Sequence, residues 1–127
     1  MNLGLIICVH SIKEMGTSDL LNAKNWLIDK YTSFGYVDIV QDNFMVTGNT
    51  MTNIVVTKIG TTYPNKFVII DGHYDTINGP GSNDNGTGTA IILEIARLLM
   101  SIPTEYSIKF IHFSGEEIGL TGSEHYV

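Results

Sequence analysis

The stretch that most constrains the fold runs from residue 67 to residue 113, where two short apolar runs flank a long apolar helical pattern. Phe67-Val68-Ile69-Ile70 is apolar without alternation, which predicts a strand buried on both faces. It runs into Asp71-Gly72-His73-Tyr74-Asp75-Thr76 and then into a glycine-rich loop, Asn78-Gly79-Pro80-Gly81-Ser82-Asn83-Asp84-Asn85-Gly86. From Thr87 to Met100 the pattern is helical and apolar almost all round, broken by Glu94 and Arg97, so this helix is expected to be sandwiched in the interior; Pro103 closes it off. Tyr106 to Phe113 reads as a second strand, with Ser114-Gly115-Glu116-Glu117 at its end. Strand, helix, strand in that order predicts a parallel pair joined by a right-handed crossover, and so an α/β architecture.

The remaining segments fit around that unit. Thr17 or Ser18 can cap a helix in which Leu20, Ala23, Leu27, Tyr31 and Phe34 recur at spacings of three and four, and Gly35 supplies its stop. Tyr36–Val40, Phe44–Val46 and Asn53–Ile59 are short β-like runs, with a turn near Asn49 and Thr50 and another at Pro64 and Asn65. Gly122 to Val127 reads as the opening of a further helix. Residues 1–16 form a poorly defined N-terminal segment. A length of 127 residues with 43% hydrophobic and 16% charged residues suits one globular domain and not a disordered chain.

Charge and cysteine content remove several functions. The net charge is −6 and the seven basic residues are scattered, so no nucleic-acid surface is legible. Cys8 is the single cysteine, which leaves no intrachain disulfide and no thiolate zinc site. The apolar run at residues 1–9 has no Lys or Arg before it and no small-residue cleavage site after it, so no clear signal peptide is read. No stretch approaches the roughly 20 apolar residues of a spanning helix, and a soluble protein is expected.

Three polar clusters fall where the strands end, and ligand sites of open α/β sheets form outside the carboxyl ends of strands. His73 and Asp75 are two residues apart and lean to one side of an extended backbone; a metal-bound imidazole commonly gives its second N–H to such an acceptor. Taken alone, His-x-Asp is also an ordinary turn. Asp84 lies among Gly79, Gly81, Gly86 and Gly88, where the backbone can pass close to a bound group, although Asp84 and Asn85 could simply shape the turn. Glu116 and Glu117 are adjacent carboxylates that repel unless a cation intervenes. One could then serve a metal while the other, with a raised pKa, acts as general base. A solvated pair at a helix start is the plainer alternative. Carboxylate and imidazole groups converging without cysteine suit a hydrolytic zinc centre. His112 is expected in the core and His125 on the surface; Trp26 reads as packing, and His10 precedes any readable structure.

Gly72-His73-Tyr74-Asp75-Thr76, Gly79-Pro80-Gly81-Ser82-Asn83-Asp84-Asn85-Gly86-Thr87-Gly88, Gly115-Glu116-Glu117-x-Gly-Leu and Gly122-Ser123-x-x-Tyr126 resemble, in order and spacing, the co-catalytic zinc aminopeptidases. These include the aminopeptidase S, aminopeptidase Y and bacterial leucyl aminopeptidase group. The resemblance implies a phosphorylase/hydrolase-like zinc exopeptidase fold: a three-layer α/β sandwich with a mixed, mostly parallel sheet and helices on both faces. It further implies that His73 ligates a first zinc, Glu117 a second, and Asp84 both. Glu116 would be the general base and Asp75 the support of His73, and the peptide bond after Asp84 would be cis. The substrate would be a peptide with a free N-terminus. Relatives are often secreted or periplasmic.

The family pattern continues with an acidic ligand and a final His that these 127 residues do not contain. Residues 1–127 are therefore expected to be the N-terminal portion of one catalytic domain, incomplete as a fold. Both zinc ions would be weakly bound or absent, activity would be missing, and a sheet edge and an apolar face would lie open. A glutaminyl cyclase or carboxypeptidase of the same fold, or a non-catalytic relative, shares much of this skeleton.

Overall fold

The computed structural model describes residues 12–127. Cys8 and His10 lie outside the described residues, as does the N-terminal apolar run. The elements are helix α1 (Ser18–Phe34), strands β1 (Ile39–Val46), β2 (Asn49–Lys58) and β3 (Tyr63–His73), a kinked turn (Ser82–Thr87) that is non-helical at Asp84 and Asn85, helix α2 (Gly88–Leu99), strand β4 (Tyr106–Phe113) and the short helix α3 (Thr121–Tyr126).

Local chemistry accounts for their ends. The Thr17 hydroxyl accepts from the Leu20 N–H at the start of α1, and Gly35 takes the left-handed conformation at φ 103° that ends it. Of the two β-like runs expected at Tyr36–Val40 and Phe44–Val46, residues 39–40 and 44–46 fall in one continuous strand, while residues 36–38 precede it. Its hairpin turn is Thr47-Gly48, both at positive φ, two positions before the turn expected near Asn49 and Thr50. The expected turn at Pro64-Asn65 is instead an irregularity within β3, where the register with β4 shifts between Tyr63 and Phe67.

The four strands make one mixed sheet in the order β1-β2-β4-β3. β3 and β4 pair in parallel, as the strand–helix–strand pattern predicts, while β1–β2 and β2–β4 are antiparallel. Residues of even number on β2 and β4 (Ile54, Val56, Phe110, His112) turn toward α1 and α2, and Tyr31 of α1 packs tilted against Phe110 and edge-on against His112. The opposite face carries α3, through Tyr126 against Phe113 and Lys109.

Two burial expectations are overturned. Phe67, Val68 and Ile69 are 46–52% exposed and not buried on both faces, because β3 is the edge strand of the sheet among the described residues. α2 buries one face (Thr89, Ile92, Leu93, Ala96) and leaves Ile91 and Leu98 open. It lies against a single sheet face beside α1, so only one side of it meets protein. Lys13 is fully buried, its N–H bonds the Thr76 hydroxyl at 2.8 Å and its Nζ the Pro80 carbonyl at 2.7 Å. Among the described residues no helix is long and apolar enough to cross a membrane.

Candidate metal centre

β3 and β4 are parallel neighbours, so both end at the same edge of the sheet. His73 closes β3 opposite Phe113, which closes β4. The segment after β4 turns at Gly115 (φ 80°) and carries Glu116 and Glu117 back across the end of β3. One ligand atom each from His73, Glu116 and Glu117 falls within 4.8 Å of the others. Asp84 reaches the same place from the loop before α2, with Oδ1 3.0 Å from His73 Nε2, and Glu116 Oε2 stands 3.7 Å from that nitrogen. Geometry thus places Glu116 among the prospective ligands, although Asp84 stands nearer to His73.

Asp75 organises both halves. It is almost fully buried, and its two carboxylate oxygens accept from the Glu116 and Glu117 N–H groups at 3.3 and 3.2 Å. His73 Nδ1 donates to the Asp75 carbonyl at 3.1 Å and lies 3.5 Å from the Asp75 carboxylate. A carbonyl can only accept, so Nδ1 carries the proton and the neutral ring presents a lone pair at Nε2, toward Asp84. Burial works against a charge on His73, but the hydrogen bond and charge of Asp75, with the charge of Glu116, outweigh it and raise its pKa to about 9. Without a cation the ring therefore holds a second proton, the one a metal would replace. Glu117 is pushed above the usual carboxylate range, first by burial and then by the charge of Asp84. A bound cation would counter the repulsion contributing to that shift.

The donor set fits a borderline divalent cation such as zinc: one imidazole with its tautomer fixed, and carboxylates gathered from three positions in the chain. Bonds of about 2.1 Å in a tetrahedral arrangement separate two ligands by roughly 3.4 Å. His73 Nε2 and Asp84 are a few tenths of an ångström inside that distance.

Sequence reasoning missed several residues that hold this site. The Asn85 side chain donates to the His73 carbonyl and accepts from the Gly88 N–H, after a cis Asp84–Asn85 peptide bond. Thr89 also donates to the His73 carbonyl. A Cβ on Gly88 would overlap the Asn85 side chain, so the glycine here answers to close approach. Asn85 stands inside the motif that carries Asp84, which was a usable signal. Lys13 and Asn53 carried none, since the carbonyls they hold, Pro80 and Gly122, lie more than 60 residues away. His112 is fully buried and bonded to Tyr31, as expected of a core residue. His125 is on the surface, stacked on Phe44 and paired with Asp42.

Residues 53–127, more than half of the chain, match peptidase family M28. The chain belongs to that family. Its relatives include aminopeptidase YwaD of Bacillus subtilis, 52% identical over 61 residues, a match covering 47% of this chain and 13% of the relative. An aminopeptidase of Pseudomonas aeruginosa is 40% identical over 84 residues, covering 65% of this chain and 16% of that protein. A probable leucine aminopeptidase 2 of Aspergillus oryzae is 38% identical over 94 residues, covering 72% and 18%. The chain thus spans less than a fifth of the length of these relatives. Among solved structures, a zinc aminopeptidase of Bacillus subtilis superposes with a TM-score of 0.59 at 44% identity, over 63% of this chain and 20% of that one. The Legionella pneumophila aminopeptidase LapA superposes at 0.80 with 25% identity, over 98% and 36%. A glutaminyl cyclase of Fimbriiglobus ruber shares the fold at TM-score 0.84 and 21% identity, over 98% and 51%. The mixed sheet with flanking helices is thus that of the M28 aminopeptidase and glutaminyl cyclase structures, and the chain carries part of it.

Proposed function

We propose that this chain is part of a zinc-dependent aminopeptidase, with His73 on a first zinc, Glu117 on a second, Asp84 shared between them and Glu116 as general base. The observation that carries this reading is the convergence of His73, Asp84, Glu116 and Glu117 at one edge of one sheet. The 38–52% identity to proteins named aminopeptidases supports the peptidase reading over a cyclase, whose likeness at 21% identity concerns the fold alone.

Bound zinc would supply charge to polarise the scissile carbonyl and to make a water nucleophilic near neutral pH. The protein's own groups do the rest. Asp75 holds the His73 ring with its lone pair at Nε2 and fixes the two N–H groups before the paired carboxylates. Glu116 accepts the proton of the nucleophile and returns it to the leaving amine nitrogen. Clefts of about 150 and 170 Å³ flank the cluster, one between Met15, Ile77 and Glu117 and the other between Gly72, His73 and Glu116. They would receive the substrate on either side of its scissile bond.

Each metal position draws two protein ligands from these residues, and a catalytic zinc takes three. The 127-residue chain is therefore expected to bind zinc weakly and to cleave no aminoacyl arylamide unaided. A protein that completes the ligand set should cleave leucyl arylamide and spare its N-acetylated form. The first test is a zinc titration of the chain. His73→Ala should weaken binding about 10- to 100-fold or more. Equal affinity in the two proteins would sink the assignment.

A further inference from the structure

We propose that Asn53 is a positioning residue for the Glu116-Glu117 segment; its bearing on metal affinity rests on the function proposed above, whereas its hold on the backbone does not. Asn53 sits on β2, fully buried, on the sheet face opposite α1 and α2. Its Oδ1 accepts from the Ser114 N–H at 3.1 Å, where the chain leaves β4. Its Nδ2 donates to the Gly122 carbonyl at 2.8 Å, where the chain has entered α3. One side chain thus clamps both ends of the segment that carries the two carboxylates.

The amide is itself oriented. Asp42 Oδ2 on β1 accepts from Nδ2 at 3.1 Å, and its other oxygen faces His125 Nε2 of α3. An acceptor on the Nδ2 side leaves Oδ1 directed to Ser114. The approach is close enough that only glycine fits at position 122. A Cβ there would overlap the Ser114 carbonyl and come within 2.6 Å of Asn53 Oδ1.

The segment is therefore held from two sides. Asp75 caps the Glu116 and Glu117 N–H groups from the metal side, and Asn53 closes the loop from behind. Carboxylates meant for a metal need such support, because an unsupported loop loses ligand geometry before it loses its fold.

A purely structural buried amide would cost stability everywhere, and the test separates the two roles. Asn53→Asp keeps the acceptor and loses the donor; Asn53→Thr is uncharged, suits a strand and cannot reach both ends, so it serves if the Asp variant does not fold. Amide hydrogen exchange in the metal-free chain should quicken at least tenfold at Glu116 and Glu117 while Leu27 and Tyr31 of α1 hold their rates. Uniform acceleration, or none at Glu116 and Glu117, would overturn the proposal. Zinc titration is then run as a cycle with Glu117→Gln. Loss of affinity on changing Asn53 should be about tenfold in the parent and under twofold in the Glu117→Gln background. Equal losses in both would refute action through Glu117. If the parent binds no zinc at all but the exchange result holds, the positioning role stands and its bearing on metal affinity in this chain falls.

Discussion

Glu116→Gln, made in a protein with a complete metal centre, is expected to lower cleavage of leucyl arylamide by about 10²- to 10⁴-fold while leaving zinc affinity within about twofold. The magnitude is that of a general base removed from an otherwise intact site. The substitution keeps the shape of the side chain and removes its ability to take a proton at neutral pH. Affinity is the informative half of the experiment, because Glu116 lies in the same 4.8 Å cluster as His73 and Glu117. If zinc binding and cleavage fall together, Glu116 is a ligand and the base must be sought elsewhere. If cleavage alone falls, the division of labour between the two adjacent carboxylates stands. A parallel measurement with Glu117→Gln should show the converse, with metal lost first.

Acid should destabilise the chain through His112. This ring is fully buried on β4, with Nε2 2.8 Å from the Tyr31 hydroxyl and no hydrogen-bond partner at Nδ1. Burial pushes its pKa down from 6.5 to about 3. An unfolded chain takes up the proton near pH 6.5 and the folded chain does not, so the unfolded state binds more protons throughout the interval. Stability is then fully present above pH 6.5 and falls as pH drops toward 3, by on the order of 3 kcal/mol at pH 4. Domains are stable by about 5–15 kcal/mol, so this one group removes a large share. The check is thermal unfolding of the metal-free chain at pH 7 and pH 4, for the parent and for His112→Leu combined with Tyr31→Phe. Removing both partners avoids stranding one polar group in the core. The double variant should show a Tm difference between the two pH values smaller by on the order of 10 °C. An unchanged difference would place the acid sensitivity in the carboxylate centre instead.

The residues that meet at the candidate centre were more legible than their supports. His73 with Asp75 and Glu116 with Glu117 each stand after a run that reads as a strand, and Asp84 stands in the glycine-rich loop between them. α1 was equally plain, since Thr17 and Gly35 act within one turn of the helix they bound. The errors came where burial was inferred from hydrophobicity. Phe67 to Ile69 and Ile91 are apolar yet half exposed, because exposure depends on what lies beside an element. The hairpin turn shifted for a related reason: the cross-strand register of β1 and β2 places it at Thr47-Gly48.

What the sequence alone determined, then, is a set of local facts: strand and helix periods, caps, the glycine-rich loop, and the residue types able to hold a cation. Each depends on interactions within a few residues, which is the range over which a sequence pattern is explicit. Tertiary structure alone decided that β3 lies at an edge and that Lys13 anchors the loop before Asp84. It also decided that Asp75 caps the Glu116 and Glu117 amides, and that Asn53 ties Ser114 to Gly122. Those contacts join residues some 40 to 70 positions apart. Only folding brings such groups within hydrogen-bond reach, because their separation along the chain carries no trace of their distance in space.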